Sequence, residues 1–394
     1  MQKRKFWYTI ERKTNSRHGV IPMKFLILSA ATGQGHNSAA LAVKECLEAR
    51  NNEAKVLDVL KLKGKNISKR VSKLYAGVTV HTPRFFHGLY RIGEHVSSPG
   101  GHSPVFRLNT LYAEKLHDVI TRVQPDVIVC THIFSAQAVT CLRERYDLKI
   151  PAAGVATDYT CIPFWEESSL DGYIIPSPAL AGEFTSKGVP AGKLAPIGIP
   201  VRPEFLTRTP KAEARLAFGL TAAHIFLVMG GSMGYGKIGE LASALTAAVP
   251  DSQAVVLCGS NEKLFREMNS VKNSLPLRYT DRVCALMDTA DVILTKPGGL
   301  SSTEAIAKRI PTVLTHPIPG CEQRNAEFLS ALGAAAFADG TQSAVCAAHR
   351  LALDEYAARK MKRAQERVWP GGTDSRIADY LIALGNTACA GRPD

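Results

Sequence analysis

The stretch Lys296-Pro-Gly-Gly-Leu-Ser-Ser-Thr-Glu-Ala-Ile-Ala307, with Pro311 and then His316-Pro-Ile-Pro-Gly-Cys-Glu-Gln-Arg-Asn325 behind it, decides how this chain is read. Residues 291–295 predict a strand, Pro297, Gly298 and Gly299 a turn, and Ser301 the start of a helix. Residues 312–315 predict a second strand, and residues 316–325 a polar loop. The free N–H groups of a glycine turn at a helix N-terminus point outward, and the helix dipole favours negative charge there, so the turn forms an anion site. Glu304 is expected in the first turn of that helix. A carboxylate beside an anion is unfavourable unless it binds something else, and a ribose diol is the chemical fit. Ser301 and Glu304 also suit a plain capping pair. The second polar loop, with Gly320, Cys321, Glu322 and Asn325 one strand later at the same sheet edge, favours a ligand site.

Strand-like runs alternate with helical patterns on both sides of this stretch. Upstream, residues 24–29, 55–60, 126–130, 152–156 and 172–175 read as strands, and residues 38–49, 67–91 and 110–123 as helices. Prolines 196, 200, 203 and 210 interrupt the pattern, and a second alternation follows at 225–229, 254–258, Val283, 292–295, 312–315 and 334–337. Such β-α alternation implies parallel sheets covered by helices on both faces. The fold class is α/β, with two Rossmann-like doubly wound domains, residues 23–200 and 201–370. Residues 371–394 hold a last helix, and residues 1–22 form a basic extension.

Two more glycine turns follow strands. Thr32, Gly33 and Gly35 precede His36 where a helix opens, and Gly230-Gly-Ser-Met-Gly234 brings Gly231 and Ser232 to the end of residues 225–229. Gly33-x-Gly35-x-x-Ser38, with Asp58 after the second strand, approaches a dinucleotide fingerprint, which makes a nicotinamide-dependent oxidoreductase a rival reading. The third position is Ser rather than Gly, and the stronger nucleotide signature lies in the second half. A neutral imidazole at a helix N-terminus has a depressed pKa and suits a base. His36 fits that part, or that of a structural histidine bonded to a carbonyl. Asp158 either orients His36 or binds a substrate hydroxyl, or only caps a turn. Arg202 either neutralises a diphosphate or is a surface charge.

The net charge of +13 sits entirely in residues 1–110, the remainder being balanced. Between Lys61 and Gly93 eight Lys/Arg occur with no acid, among aromatic residues. Lys65, Lys69, Arg70, Lys73, Phe85 and Phe86 therefore suit an anionic membrane surface, or a solvated helix pair whose aromatics face the core. No RNA-binding motif accompanies them, so no nucleic-acid partner is expected. No run approaches the roughly 18 apolar residues of a membrane span. Nine cysteines without paired spacing suit a reducing cytoplasm and make zinc unexpected. No apolar segment follows the first charges, which excludes a secretory signal. The stretch before Met23 reads as an upstream start or as a basic tail.

The chain resembles a glycosyltransferase family on five motifs taken in order. These are residues 29–40, Thr157-Asp-Tyr with Trp165, Gly198-Ile-Pro-Val-Arg-Pro-Glu-Phe205, Met229-Gly-Gly-Ser-Met-Gly234, and the opening stretch. The family is glycosyltransferase family 28. It includes monogalactosyldiacylglycerol synthases, processive diacylglycerol glucosyltransferases and, more remotely, the enzyme that adds N-acetylglucosamine to the peptidoglycan lipid precursor. The resemblance implies a GT-B fold, a UDP-sugar donor, a lipid acceptor, most readily diacylglycerol, and inverting hexosyl transfer at the cytoplasmic membrane face. It assigns the loop of Thr32, Gly33, Gly35 and His36 to the acceptor side, with His36 and Asp158 catalytic. It assigns UDP to Gly231, Ser232, Gly259, Val283, Pro297, Gly298, Gly299, Ser301, Glu304 and Arg202. The donor sugar falls to Gly320, Cys321, Glu322 and Asn325. No Asp-x-Asp is present, so no metal or other cofactor is expected. The chain departs from the family at Ile162, often His, and at Cys321, often Gln, which leaves the acceptor and the sugar open. N-acetylglucosaminyl transfer to a polyprenyl-linked acceptor, a UDP-sugar epimerase and a non-catalytic UDP-sugar sensor are the alternatives.

Overall fold

The computed structural model describes residues 22–30, 34–63, 102–231, 234 and 236–390. The readings of the N-terminal extension, of Thr32, Gly33 and Ser232, and of the 67–91 helix with Lys65, Lys69, Arg70, Lys73, Phe85 and Phe86 lie outside these residues.

The first sheet contains β1 (Lys24–Ser29), β2 (Glu53–Asp58), β3 (Val127–Cys130), β4 (Ala152–Val155), β5 (Gly172–Ile174) and β6 (Leu194–Ala195), in the order β2-β1-β3-β4-β5-β6. Its helices are α1 (Gln34–Glu48), α2 (Pro104–Thr110), α3 (Ala113–Val123), α4 (Ile133–Tyr146) and α5 (Ala181–Ser186). The second sheet contains β7 (His224–Met229), β8 (Ser252–Gly259), β9 (Ser274–Arg278), β10 (Val292–Thr295), β11 (Thr312–Thr315) and β12 (Ala336–Ala338), in the order β12-β11-β10-β7-β8-β9. Around it lie α6 (Lys211–Ala217), α7 (Ile238–Ala248), α8 (Glu262–Asn269), α9 (Val283–Thr289), α10 (Gly299–Ala307), α11 (Cys321–Ala331), α12 (Thr341–Leu353) and α13 (Glu355–Val368). The last helix is α14 (Thr373–Ala390). Every strand pair of both sheets is parallel.

A strand buried on both faces must be apolar throughout. In β1, Leu26 and Leu28 enter one core while Phe25 and Ile27 enter another. In β7, Phe226 and Val228 separate in the same way from Ile225, Leu227 and Met229. The α14 helix adds Ile377, Ala378 and Leu381 to the core under Phe25 and Ile27 of the first sheet. One core runs from Leu26 and Leu28 through Trp165 to Leu300, Leu314 and Leu329, joining the two sheets.

Each sheet reverses its strand order once, between β1 and β3 and between β7 and β10. Open parallel sheets bind ligands at such switch points, beyond the carboxyl ends of the strands.

Three local expectations need correction. The α10 helix begins at Gly299, capped by Gly298, not at Ser301, so Glu304 lies in its second turn rather than its first. Val283 opens α9 and is not in a strand; the strand is β9, five residues earlier in ending. The half-exposed Ser-Leu-Pro-Leu-Arg of this edge strand lacks the apolar run that marks the others. The loop at 316–325 is loop only as far as Gly320, because Cys321 begins α11.

Candidate active site

The β1 carboxyl end delivers His36 on the first turn of α1, and the β3 carboxyl end delivers Thr131 and His132. His36 Nδ1 lies 3.0 Å from the Thr131 carbonyl oxygen and 3.1 Å from Thr157 Oγ1. A carbonyl only accepts, so Nδ1 carries the proton, and the lone pair of the neutral ring is on Nε2. Burial holds the His36 pKa below the ordinary histidine value, against the opposing pull of Asp158 and the Thr131 carbonyl. The ring is therefore neutral at pH 7. His132 meets it edge-on, with centroids 4.4 Å apart. His132 Nδ1 accepts the Phe134 N–H at 3.0 Å and caps α4, and burial beside His36 pushes its pKa well down.

His36, Thr131, His132, Thr157, Asp158 and Trp165 line one crevice. Ile162, the departure from the family pattern, lines it too. Trp165 stands over β4 at Gly154, where a Cβ would come within 2.6 Å of its ring. Only glycine leaves the indole this place. Burial raises the Asp158 carboxyl; Asn325, His36 and Lys296 oppose the shift, and Glu322 adds to it.

The second switch point faces this crevice. Gly299, at the start of α10, packs so closely on the end of the first sheet that a Cβ would fall 1.8 Å from the Thr157 carbonyl oxygen. The turn of Pro297, Gly298 and Gly299 and the first turn of α10, with Ser301, thus stand beside His36 and Asp158. Gly231, with φ +71°, crosses Lys296 so closely that a Cβ would meet its Cε at 2.8 Å. Lys296 Nζ pairs with Glu322 Oε1 at 2.5 Å, and Glu322 Oε2 accepts the Ile318 N–H at 2.9 Å. Gly320, with φ +109°, caps α11 and turns Cys321, Glu322 and Asn325 inward. Burial, and Asp158 next, push the Cys321 thiol well up, so it is no thiolate. Gly259 takes φ +58° where β8 ends, and Val283 is partly buried against the core that holds Val255, Leu257 and Leu286.

Glu304 is 8% exposed. Burial, then Glu204, push its pKa up to about 8, with Arg202 opposing. Arg202 is a partly exposed, ion-paired charge: Nε reaches Glu45 Oε1 at 3.2 Å and Nη1 reaches Glu204 Oε1 at 2.7 Å. Among the described residues no three His, Cys, Asp or Glu side chains converge as metal ligands would.

Sequence reasoning did not single out Thr131, His132 or Lys296. A signal existed for each, since Thr131 and His132 follow a buried strand at the edge that carries His36, and Lys296 opens the glycine turn.

Two doubly wound sheets meeting switch point to switch point, with an imidazole on one side and a glycine-turn helix on the other, make the GT-B architecture. A model of the monogalactosyldiacylglycerol (MGDG) synthase family matches residues 36–201. The chain is 26% identical over 348 residues to a processive diacylglycerol beta-glucosyltransferase of Bacillus pumilus, covering 86% of this chain and 89% of that protein. It is 27% identical over 335 residues to the protein of the same name from Staphylococcus saprophyticus, covering 82% and 83%. The glycotransferase of kitacinnamycin superposes with a TM-score of 0.63 at 15% identity, over 92% of this chain and 99% of that one. The chain is thus similar, over most of its length, to processive diacylglycerol beta-glucosyltransferases, and over residues 36–201 to the MGDG synthases.

Proposed function

We propose that this enzyme moves a hexose from a UDP-sugar to the hydroxyl of a membrane lipid, with diacylglycerol as the acceptor and inversion at the anomeric carbon. The observation that supports it most is the meeting of His36, its Nε2 lone pair available, with the glycine turn of α10. The relatives' names supply the lipid; the turn chemistry supplies the nucleotide.

In this reading the acceptor oxygen attacks C1 of an α-linked donor. The bond from C1 to the diphosphate oxygen breaks, the acceptor proton passes to His36 Nε2, and UDP leaves. The Asp158 carboxylate stabilises the imidazolium that forms. Gly231, the turn at Gly298 and Gly299, the α10 N-terminus and Lys296 meet the departing diphosphate, preorganised donors being worth most where charge develops. Glu304 takes the ribose, Gly259 and Val283 flank the base, and Gly320, Cys321 and Glu322 face the sugar. This scheme assigns no step to a metal. Among the described residues no helix is long and apolar enough to cross a membrane. In this reading the enzyme meets its lipid through the basic, aromatic segment around Lys65–Phe86.

The test is incubation with a panel of UDP-sugars and a membrane lipid extract, followed by mass spectrometry of the lipids. A lipid gaining one hexose is expected. A panel in which the UDP-sugar is only epimerised, or is bound without any product, would replace this reading with an epimerase or a sensor.

A further inference from the structure

The sequence reading gave Asn325 to the donor sugar, but its side chain is fully engaged inside the protein. Asn325 Nδ2 donates to Asp158 Oδ1 at 2.8 Å and to the Pro297 carbonyl at 2.9 Å. Its Oδ1 accepts the Tyr159 N–H at 2.7 Å. The residue is 0% exposed. A primary amide has two N–H donors, so neither remains for a sugar hydroxyl. These three bonds tie the glycine turn of the second sheet to Asp158 and Tyr159 of the first. A second tie lies beside them, Tyr159 Oη to Thr303 Oγ1 at 2.9 Å.

We infer that Asn325 is a positioning residue: from the start of the donor-side helix α11 it holds the Asp158 carboxylate in place beside His36, so that the acceptor-side base is assembled only when the donor loop is in register. The inference rests on the proposed role of His36 as base.

The electrostatics agree with the geometry. Asp158 is faced by His36 from α1, by Lys296 from the end of β10, and by Asn325, Glu322 and Cys321 from α11. Burial raises its pKa, and the Asn325 hydrogen bond is the strongest opposing influence. A hydrogen bond to the charged form favours that form. Without the amide, Asp158 would hold its proton to higher pH. A reaction needing the carboxylate is lost as pH falls through that pKa, so the acid limb of the rate profile would move upward.

The test compares wild type with Asn325→Ala and Asn325→Asp. The aspartate variant keeps the shape and the acceptor for Tyr159 N–H, and it sets a like charge against Asp158, so it carries the test if the alanine variant does not fold. Turnover at neutral pH should fall about tenfold or more, within the range of general-base effects. UDP affinity by calorimetry should change less than about twofold, because uniform binding is not what is removed. The acid limb should rise in the order wild type, alanine, aspartate. The Asp158 carboxyl, followed by carbon NMR in aspartate-labelled protein, should titrate at higher pH in the same order. A raised donor KM with an unmoved pH profile would make Asn325 a sugar ligand and overturn the inference, as would an unmoved Asp158 titration. That titration needs no turnover, so a wild type that transfers no sugar would defeat the proposed function while the role of Asn325 is still decided.

Discussion

At the scale of single residues, the proposed reaction rests on the tautomer of His36. Its Nδ1 proton is committed to a carbonyl, so the one atom able to take a proton from an acceptor is Nε2. General-base help is worth roughly 10²–10⁴-fold. His36→Ala is expected to lower turnover by a factor in that range while UDP affinity, measured by calorimetry, stays nearly constant. Because burial depresses the His36 pKa, the wild-type rate should hold as pH falls to 6.5, the decline below it reporting whichever of His36 and Asp158 takes up its proton first; an acid limb above 6.5 would contradict this. Glu304 gives a second residue-scale prediction. Its folded pKa of about 8 lies above the ordinary 4.5, so the folded state binds a proton that the unfolded chain has released between those values. That contribution to stability is complete below pH 4.5 and is lost as pH rises to 8. Glu304→Gln should therefore flatten the fall in melting temperature between pH 5 and 8, and an identical slope in the variant would show that Glu304 is ionised. The place of His36 in the first turn of α1 was legible because a glycine turn there follows a buried strand. The hydrogen bonds of Asn325 were not, because they join residues 167 positions apart, which no local pattern encodes.

At the scale of elements, strands were read well where both faces are buried. The ends of β1, β10 and β11 coincide with the apolar runs in the sequence. The edge strand β9 was missed and Val283 taken in its place, since an edge needs neither an unbroken apolar run nor the exclusion of proline. The early start of α10 has a tertiary cause, its first residue being pressed on the end of the first sheet. Gly298 and Gly299 separate two reasons for a glycine. At Gly298 φ is −69°, and a Cβ would meet nothing nearer than Glu322 Oε1 at 3.9 Å, an ordinary contact. At Gly299 a Cβ would overlap the Thr157 carbonyl. Gly299→Ala should push the two sheets apart, abolish most turnover, and expose the Tyr159 amide, whose acceptor is Asn325 Oδ1, to faster hydrogen exchange. Gly298→Ala should leave that exchange unchanged. Equal protection of Tyr159 in the two variants would mean that Gly299 does not set the contact.

At the scale of the whole molecule, the two reversals of strand order face each other. One brings an imidazole and a carboxylate; the other brings glycine turns, a helix N-terminus and Lys296. The division into two doubly wound halves was visible in the two β-α alternations, whereas the depth of their contact was not, because a core shared by Leu28, Leu300 and Leu329 is a property of the folded pair. Charge follows the same division, the whole excess of +13 lying in residues 1–110, where the proposed function gives attraction to an anionic lipid surface a use. The central claim is a single displacement, with the lipid hydroxyl deprotonated from one side of C1 as UDP leaves from the other. The measurement that tests it most directly is the anomeric configuration of the glycolipid made from an α-linked UDP-hexose, read by proton NMR of the purified product. The account predicts a β-glycoside. An α-linked lipid would contradict it, because retention requires a different arrangement of groups around the sugar from the one His36 and the α10 turn provide.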